Sequence, residues 1–158
     1  MAGPISHRTY LSYIDKSREY YEAHGYEQPY RWAQFGDVPM TRLAKPLAEC
    51  RVGMVTTAAV DPDDLLQPFV APASPTPTSL ATKHLHWHQA ITNTEDLGSF
   101  LPIDHLNDLA ESGRIGSTSE RFYGTPTLYS QRRTMKNAAM VEQWCREDDV
   151  DVVLITPL

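Results

Sequence analysis

Apolar residues are spaced along this chain in two ways, and the two spacings predict an alternation of strands and helices. Nearly continuous apolar, β-branched runs are typical of strands covered on both faces, whereas apolar residues at three- and four-residue steps are typical of helices. Four strands are predicted on these grounds, over 50–59, 81–89, 115–118 and 150–156. Three helices are predicted, over 5–24, 102–113 and 130–147.

Strands that alternate with helices pair in parallel, because each helix returns the chain across the sheet in a right-handed crossover. We therefore expect an α/β fold, an open and mainly parallel sheet with Rossmann- or flavodoxin-like layering, preceded by a tyrosine-rich N-terminal helix. Residues 1–45 are predicted to form that helix and an aromatic extension that packs on a partner, and residues 46–158 the α/β domain. Residues 61–77 hold five of the twelve prolines and are predicted to be a long loop.

Composition narrows the class of protein. The 158 residues are 41% apolar and 22% charged, which is typical of a globular domain. The net charge of -6 argues against a nucleic-acid partner, since phosphate binding needs a clustered basic surface. The compact basic group of Arg132, Arg133 and Lys136 is expected to be a solvated helix face. With neither a signal peptide nor a membrane span in the sequence, a cytoplasmic protein with reduced thiols is expected.

Three histidines, His84, His86 and His88, alternate with other residues in the second predicted strand. Alternate side chains of a strand share a face, so the three imidazoles are predicted to point the same way and to bind zinc, iron, nickel or copper. Residues two apart on a strand lie about 6.5–7 Å apart, so two histidines plus a carboxylate form the better ligand set. The nearest acids in sequence are Glu95, Asp96 and Asp104. Alternatively, the histidines form a polar wall or transfer protons without a metal.

Polar residues at the ends of predicted strands are further candidates, because open parallel sheets bind ligands at their carboxyl edge. Thr56 and Thr57 close the first predicted strand and are candidates for binding a cofactor. Arg121 follows the third predicted strand and is a candidate to hold a substrate carboxylate with both arms of its guanidinium. The alternative for Arg121 is a loop arginine that faces solvent. Cys50 and Cys145 have no C-x-x-C spacing and are expected to be small buried residues rather than nucleophiles.

Five segments of the chain form a recognisable series: PLAECRVGMVTTA at 46–58, His84 with the strand after it, FLPIDHL at 100–106, LAESGRIGS at 109–117 and DVDVVLITP at 149–157. In their order and spacing, these segments resemble the selenoprotein B-type subunits of glycine, sarcosine, betaine and D-proline reductases. In that family a selenocysteine or cysteine nucleophile follows the strand that matches 150–157, and this chain ends before it. The resemblance therefore implies a second subunit that carries the cysteine or selenocysteine half, in a hetero-oligomer.

Three functions are consistent with these residues. The first is a subunit of a heteromeric, reductase-like enzyme, in which His84, His88 and Arg121 act on a small amino- or carboxylate-bearing molecule in a site completed by a partner chain. The second is a metal-dependent hydrolase or lyase subunit that uses the cluster of His84, His86 and His88. The third is a non-catalytic scaffold subunit whose aromatic N-terminal part holds a catalytic partner.

Overall fold

The chain divides into two compact units, Met1–Pro39 and Met40–Leu158. The computed structural model describes residues 13–26, 35–38, 41–83, 85, 91, 93–128 and 130–158. In the first unit, helix α1 spans Tyr13–Ala23, which confirms the described part of the N-terminal helix prediction. Gly25 follows α1 with a φ of 74°, a left-handed conformation that ends helices at glycine without steric cost.

The second unit is an α/β domain. Its strands are β1 (Arg51–Thr56), β2 (Phe69–Pro72), β3 (Ser117–Thr118), β4 (Arg121–Gly124) and β5 (Val152–Thr156). Its α-helices are α2 (Ile103–Glu111) and α3 (Gln131–Glu147), and short 3-10 helices lie at Leu47–Glu49 and Leu97–Ser99. In the part of the chain that the structure describes, no helix combines the length and apolar character needed to cross a membrane.

Strand β1 is the centre of a mixed, mostly parallel sheet. On one side β5 pairs with it in parallel from Val52↔Val152 to Thr56↔Thr156. On the other side β3 lies beside the first half of β1 and β4 beside the second half, both in parallel. Strand β2 pairs antiparallel with β4 on its outer side. Among the described residues the sheet is therefore open at two edges, β2 and β5.

Helices α2 and α3 pack on opposite faces of the sheet. Successive side chains of β1 point to opposite faces, so alternate residues of β1 contact different helices. Val52 and Met54 belong to the larger core, on the α2 face. This core also contains Phe100, Leu101, Ile103, Leu106, Ile115 and Phe122. Val55 belongs to the smaller core on the α3 face, with Tyr123 and Cys145. The central strand is thus buried on both faces, as its continuous apolar sequence predicts.

Two parts of the sequence prediction are corrected. Residues 61–77 were expected to be loop throughout, but they contain β2; Pro72 is tolerated there because β2 is an edge strand. Residues 81–89 were expected to be a strand, but Ala81 makes only an isolated antiparallel bridge to Ala59, and Leu85 lies in a bend. The remaining residues of that segment, apart from Thr82 and Lys83, lie outside the described residues.

Candidate functional site

The carboxyl ends of β1 and β5 lie at one edge of the sheet, and the segment that leads into α2 is tied to this edge. The Thr156 hydroxyl donates a 2.8 Å hydrogen bond to the carbonyl of Phe100, three residues before α2 begins. A cavity of about 540 Å³ lies between this segment and the proline-rich loop at 76–78. We call it the α2 cavity; its polar and ionisable lining residues are Thr76, Thr78, Glu95, Asp96, Asp104 and His105.

Two carboxylates of the α2 cavity are held in place by hydrogen bonds from the chain around them. The Thr76 hydroxyl donates to Asp104 Oδ1 at 2.6 Å and so ties the proline-rich loop to the first turn of α2. The Gly98 amide donates to Asp96 Oδ1 at 2.9 Å, which caps the 3-10 helix Leu97–Ser99. Each bond fixes the direction in which its carboxylate faces the cavity.

Gly98 brings Asp96 and His105 together. A methyl group at Gly98 would lie 3.1 Å from Asp96 Oδ1 and 3.4 Å from His105 Nε2. Asp96 Oδ1 and His105 Nε2 therefore both lie close to the Cα of Gly98. The lack of a side chain at Gly98 keeps that space open.

Glu95, Asp96 and Asp104, the acids nearest in sequence to the histidine-rich segment, all line the α2 cavity. His105 was not predicted, because a single histidine in the first turn of a predicted helix has no spacing that marks it as functional. Within the described ranges, no group of three or more histidine, cysteine, aspartate or glutamate side chains has the geometry to hold a metal ion. His84, His86 and His88 lie outside the described residues.

Thr56 and Thr57 lie at the carboxyl end of β1, where their hydroxyls bond to the backbone of the same unit. Thr56 is fully buried, and its Oγ1 accepts a 3.3 Å hydrogen bond from the amide of Ala58. The Oγ1 of Thr57 accepts a 2.9 Å bond from the amide of Leu158. These contacts join the ends of β1 and β5 at the carboxyl edge.

The sequence suggested that Arg121 lies at the carboxyl end of the third predicted strand, but the structure places it at the amino end of β4. It opens β4, and its side chain reaches the C-terminal end of α3 rather than the carboxyl edge. Its Nε donates to both carboxylate oxygens of Asp148, at 3.0 and 2.8 Å, and its Nη2 donates to Oδ1 at 2.7 Å. The guanidinium thus binds a carboxylate through two nitrogens, Nε and Nη2. This carboxylate belongs to the same chain and not to a substrate.

Both cysteines are buried, as predicted from the sequence. Cys50 directly precedes β1, and its Sγ lies 3.4 Å from the carbonyl of Pro46. Cys145 lies near the end of α3, where burial raises the pKa of its thiol. Both residues are therefore at the end of the sheet where β1 and β5 begin, opposite the carboxyl edge.

Comparison with known proteins identifies no family for this chain. No family model, no curated protein and no solved structure matches the chain. The resemblance to the reductase B-type subunits stays a prediction. Any proposal for the function of the chain therefore depends on the geometry of the α2 cavity and of the sheet edges.

Proposed function

We propose that this chain is a subunit of a heteromeric, reductase-like enzyme that binds a small amino-bearing substrate in the α2 cavity. One observation carries the proposal: Glu95, Asp96, Asp104 and His105 border a single cavity beside the carboxyl edge of the sheet. Open α/β sheets with Rossmann- or flavodoxin-like layering, the architecture that we propose here, bind ligands outside the carboxyl ends of their strands.

The charge of the lining favours an amino group over a lone carboxylate. Among the residues that the structure describes, the ionisable ones that line the α2 cavity are three acids and one histidine, with no lysine or arginine. A pair of unit charges 4 Å apart near a protein surface interacts by about 4 kcal/mol before solvent screening, so an ammonium group is attracted and a carboxylate repelled. Of the two substrate classes that the sequence left open, the amino-bearing class therefore fits better.

A thiol or selenol nucleophile at this site would come from a partner polypeptide. Cys50 and Cys145 are the only cysteines of the chain, and both are buried at the opposite end of the sheet. His84 and His88 are proposed to transfer protons and, with His86, to bind zinc, iron, nickel or copper if a metal takes part. The partner then docks over the carboxyl edge, where it faces the α2 cavity.

Titration of the protein with methylamine, glycine and acetate, followed by NMR, tests the substrate class. We expect methylamine and glycine to bind and acetate not to bind. Asp104→Asn should weaken glycine binding at least tenfold, about 1.4 kcal/mol, because it removes a fixed negative charge from the cavity. Asp108→Asn removes an exposed acid of the same helix that does not line the cavity, and should leave binding unchanged. Equal binding of acetate and methylamine, or equal effects of the two variants, would contradict the proposal.

Metal analysis of the same protein separates the proposed function from the metal-dependent hydrolase or lyase. A stoichiometric transition metal that is lost in His86→Ala, with no binding of amines, would favour the hydrolase or lyase. Absence of both ligand and metal binding would favour the scaffold subunit.

A further inference from the structure

The outer side of β5 exposes an apolar strand. Among the described residues β5 pairs only with β1, so no described strand lies on its other side. Val153 is 38% exposed, Leu154 40% and Ile155 63%, although strands of parallel sheets are usually covered on both faces. Natural edge strands are commonly protected by charge, proline or a bulge. The opposite edge, β2, contains Pro72, whereas β5 contains neither a charged residue nor a proline.

The backbone of β5 has outward-facing hydrogen-bonding groups at every second residue. The carbonyls of Val52 and Thr56 accept bonds from amides on the β3 and β4 side, so the alternate residues Gly53 and Val55 face β5. In a parallel ladder a residue bonds to the residues just before and just after its Cα partner on the neighbouring strand. Because Gly53 is the partner of Val153 and Val55 is the partner of Ile155, the amides and carbonyls of Val152, Leu154 and Thr156 face β1, and those of Val153 and Ile155 point to the open edge.

We propose that β5 pairs antiparallel with β5 of a second copy of this chain, about a two-fold axis at Leu154. The two outward-facing residues are placed symmetrically about Leu154, so Val153 of each copy lies opposite Ile155 of the other. In this register every outward-facing amide and carbonyl of the strand has a partner. Val153 lies beside Ile155 of the other copy on the α3 face, and the two Leu154 side chains meet on the α2 face.

Charge makes a second copy the fitting occupant of this edge. The chain has a net charge of -6, so two copies repel each other except where the contact surface is neutral. Residues 152–156 have no ionisable side chain. The flanking Asp151 is neutralised within its own chain, because Lys45 Nζ lies 2.7 Å from its carboxylate. A two-fold contact also uses one self-complementary surface, which β5 provides. The α2 cavity is formed within one copy, so this inference does not rest on the proposed function.

Sedimentation velocity over a hundredfold concentration range tests the dimer in the full chain. We expect twice the 17.8 kDa chain mass at high concentration. Val153→Pro removes only an outward-facing amide, since the Val153 amide does not bond to β1, and should weaken the dimer at least a hundredfold. Ile155→Lys should do the same through charge repulsion. Met135→Lys, a matched change at an exposed apolar residue of α3, should leave the dimer intact.

A monomeric wild-type chain, or dimeric and folded Val153→Pro and Ile155→Lys proteins, would overturn the proposal. Circular dichroism establishes that each variant is folded. If either variant fails to fold, hydrogen exchange of the wild-type chain decides: the Val153 and Ile155 amides should become protected as concentration rises. Protection of these amides that is the same at low and high concentration would overturn the dimer, as would a different protein bound at β5.

Discussion

At the scale of single residues, a group of short polar contacts surrounds Asp148, at the end of α3. Arg121 binds its carboxylate with both arms, and the hydroxyl of the buried Tyr123 donates to Oδ2 at 2.6 Å. Arg51 donates to the Asp148 carbonyl at 2.8 Å. These bonds join β1, β4 and the end of α3, so Asp148 is a structural residue rather than part of the α2 cavity.

Burial and hydrogen bonding act in opposite directions on this carboxyl. Burial raises the pKa of Asp148, but the hydrogen bonds from Arg121 and Tyr123 lower it more, so the net pKa lies below the ordinary value. Burial, and the bond that it donates to Asp148, raise the pKa of the Tyr123 hydroxyl. Asp148 is therefore charged and Tyr123 neutral at physiological pH, the pair of states in which their hydrogen bond forms.

Asp148→Asn should lower the free energy of unfolding by roughly 1.5–3 kcal/mol at pH 7, because it replaces charge-assisted hydrogen bonds with weaker ones. A carboxyl with a lowered folded-state pKa stabilises the fold above its unfolded pKa of about 3.9. That stability is lost as the pH falls through the folded pKa. Urea unfolding of both proteins from pH 7 to pH 3 should therefore show a difference that shrinks with acid. Asp149→Asn, at an exposed neighbour whose positive φ suits asparagine, should change little.

At the scale of secondary-structure elements, periodicity was sufficient for helices α2 and α3 and for strands β1 and β5. Their apolar residues recur within the element itself, so each can be recognised without its neighbours. Strand β2 could not be recognised in this way, because it forms by pairing with β4, about fifty residues later, and its proline resembles a loop signal.

The candidate site was predictable only in part for the same physical reason. Asp96 and Asp104 could be named from the sequence, but the α2 cavity also needs the loop at 76–78, which is fixed by the bond from Thr76 to Asp104. Arg121 was placed at the wrong end of the sheet because residues 117–124 occupy one row beside β1 with a break at Ser119. The local sequence pattern does not indicate which segments, distant in sequence, come together in the fold.

The pairing of β2 with β4 depends on Gly124. A Cβ at Gly124 would overlap the ring of Phe69, which lies opposite it in the antiparallel register. Gly124→Ala should therefore lower the free energy of unfolding by about 1–3 kcal/mol, the usual cost of an overpacked core. Thermal unfolding measures the loss, and Phe69→Ala in the same chain should relieve part of it. Gly36→Ala, where a Cβ would meet no atom within 4 Å, is the matched control. Equal losses at Gly124 and Gly36 would show that the Phe69 contact is not the cause.

At the scale of the whole molecule, the candidate ligand site, the structural polar contacts and the apolar edge lie at different places on the second unit. The carboxyl edge bears the α2 cavity, the opposite end bears the Asp148 contacts, and β5 is the apolar edge proposed to meet a second copy. A ligand at the carboxyl edge and a second chain at β5 can therefore be tested separately, since substitutions at Asp104 and Ile155 lie on different surfaces.

Pairing through β5 links the stability of the chain to its concentration. A partner that binds only the folded state raises the free energy of unfolding by mass action, by up to about 1.4 kcal/mol for each tenfold rise in concentration above the dissociation constant, and the melting temperature rises with it. The wild-type melting temperature should therefore rise across a hundredfold concentration range, whereas that of Ile155→Lys should stay constant. Calorimetry on both proteins, with Met135→Lys as the control that should follow the wild type, measures this difference. A wild-type melting temperature independent of concentration would exclude a β5 contact that stabilises the folded chain. Only a partner that prefers the folded state to the unfolded state shifts the melting temperature.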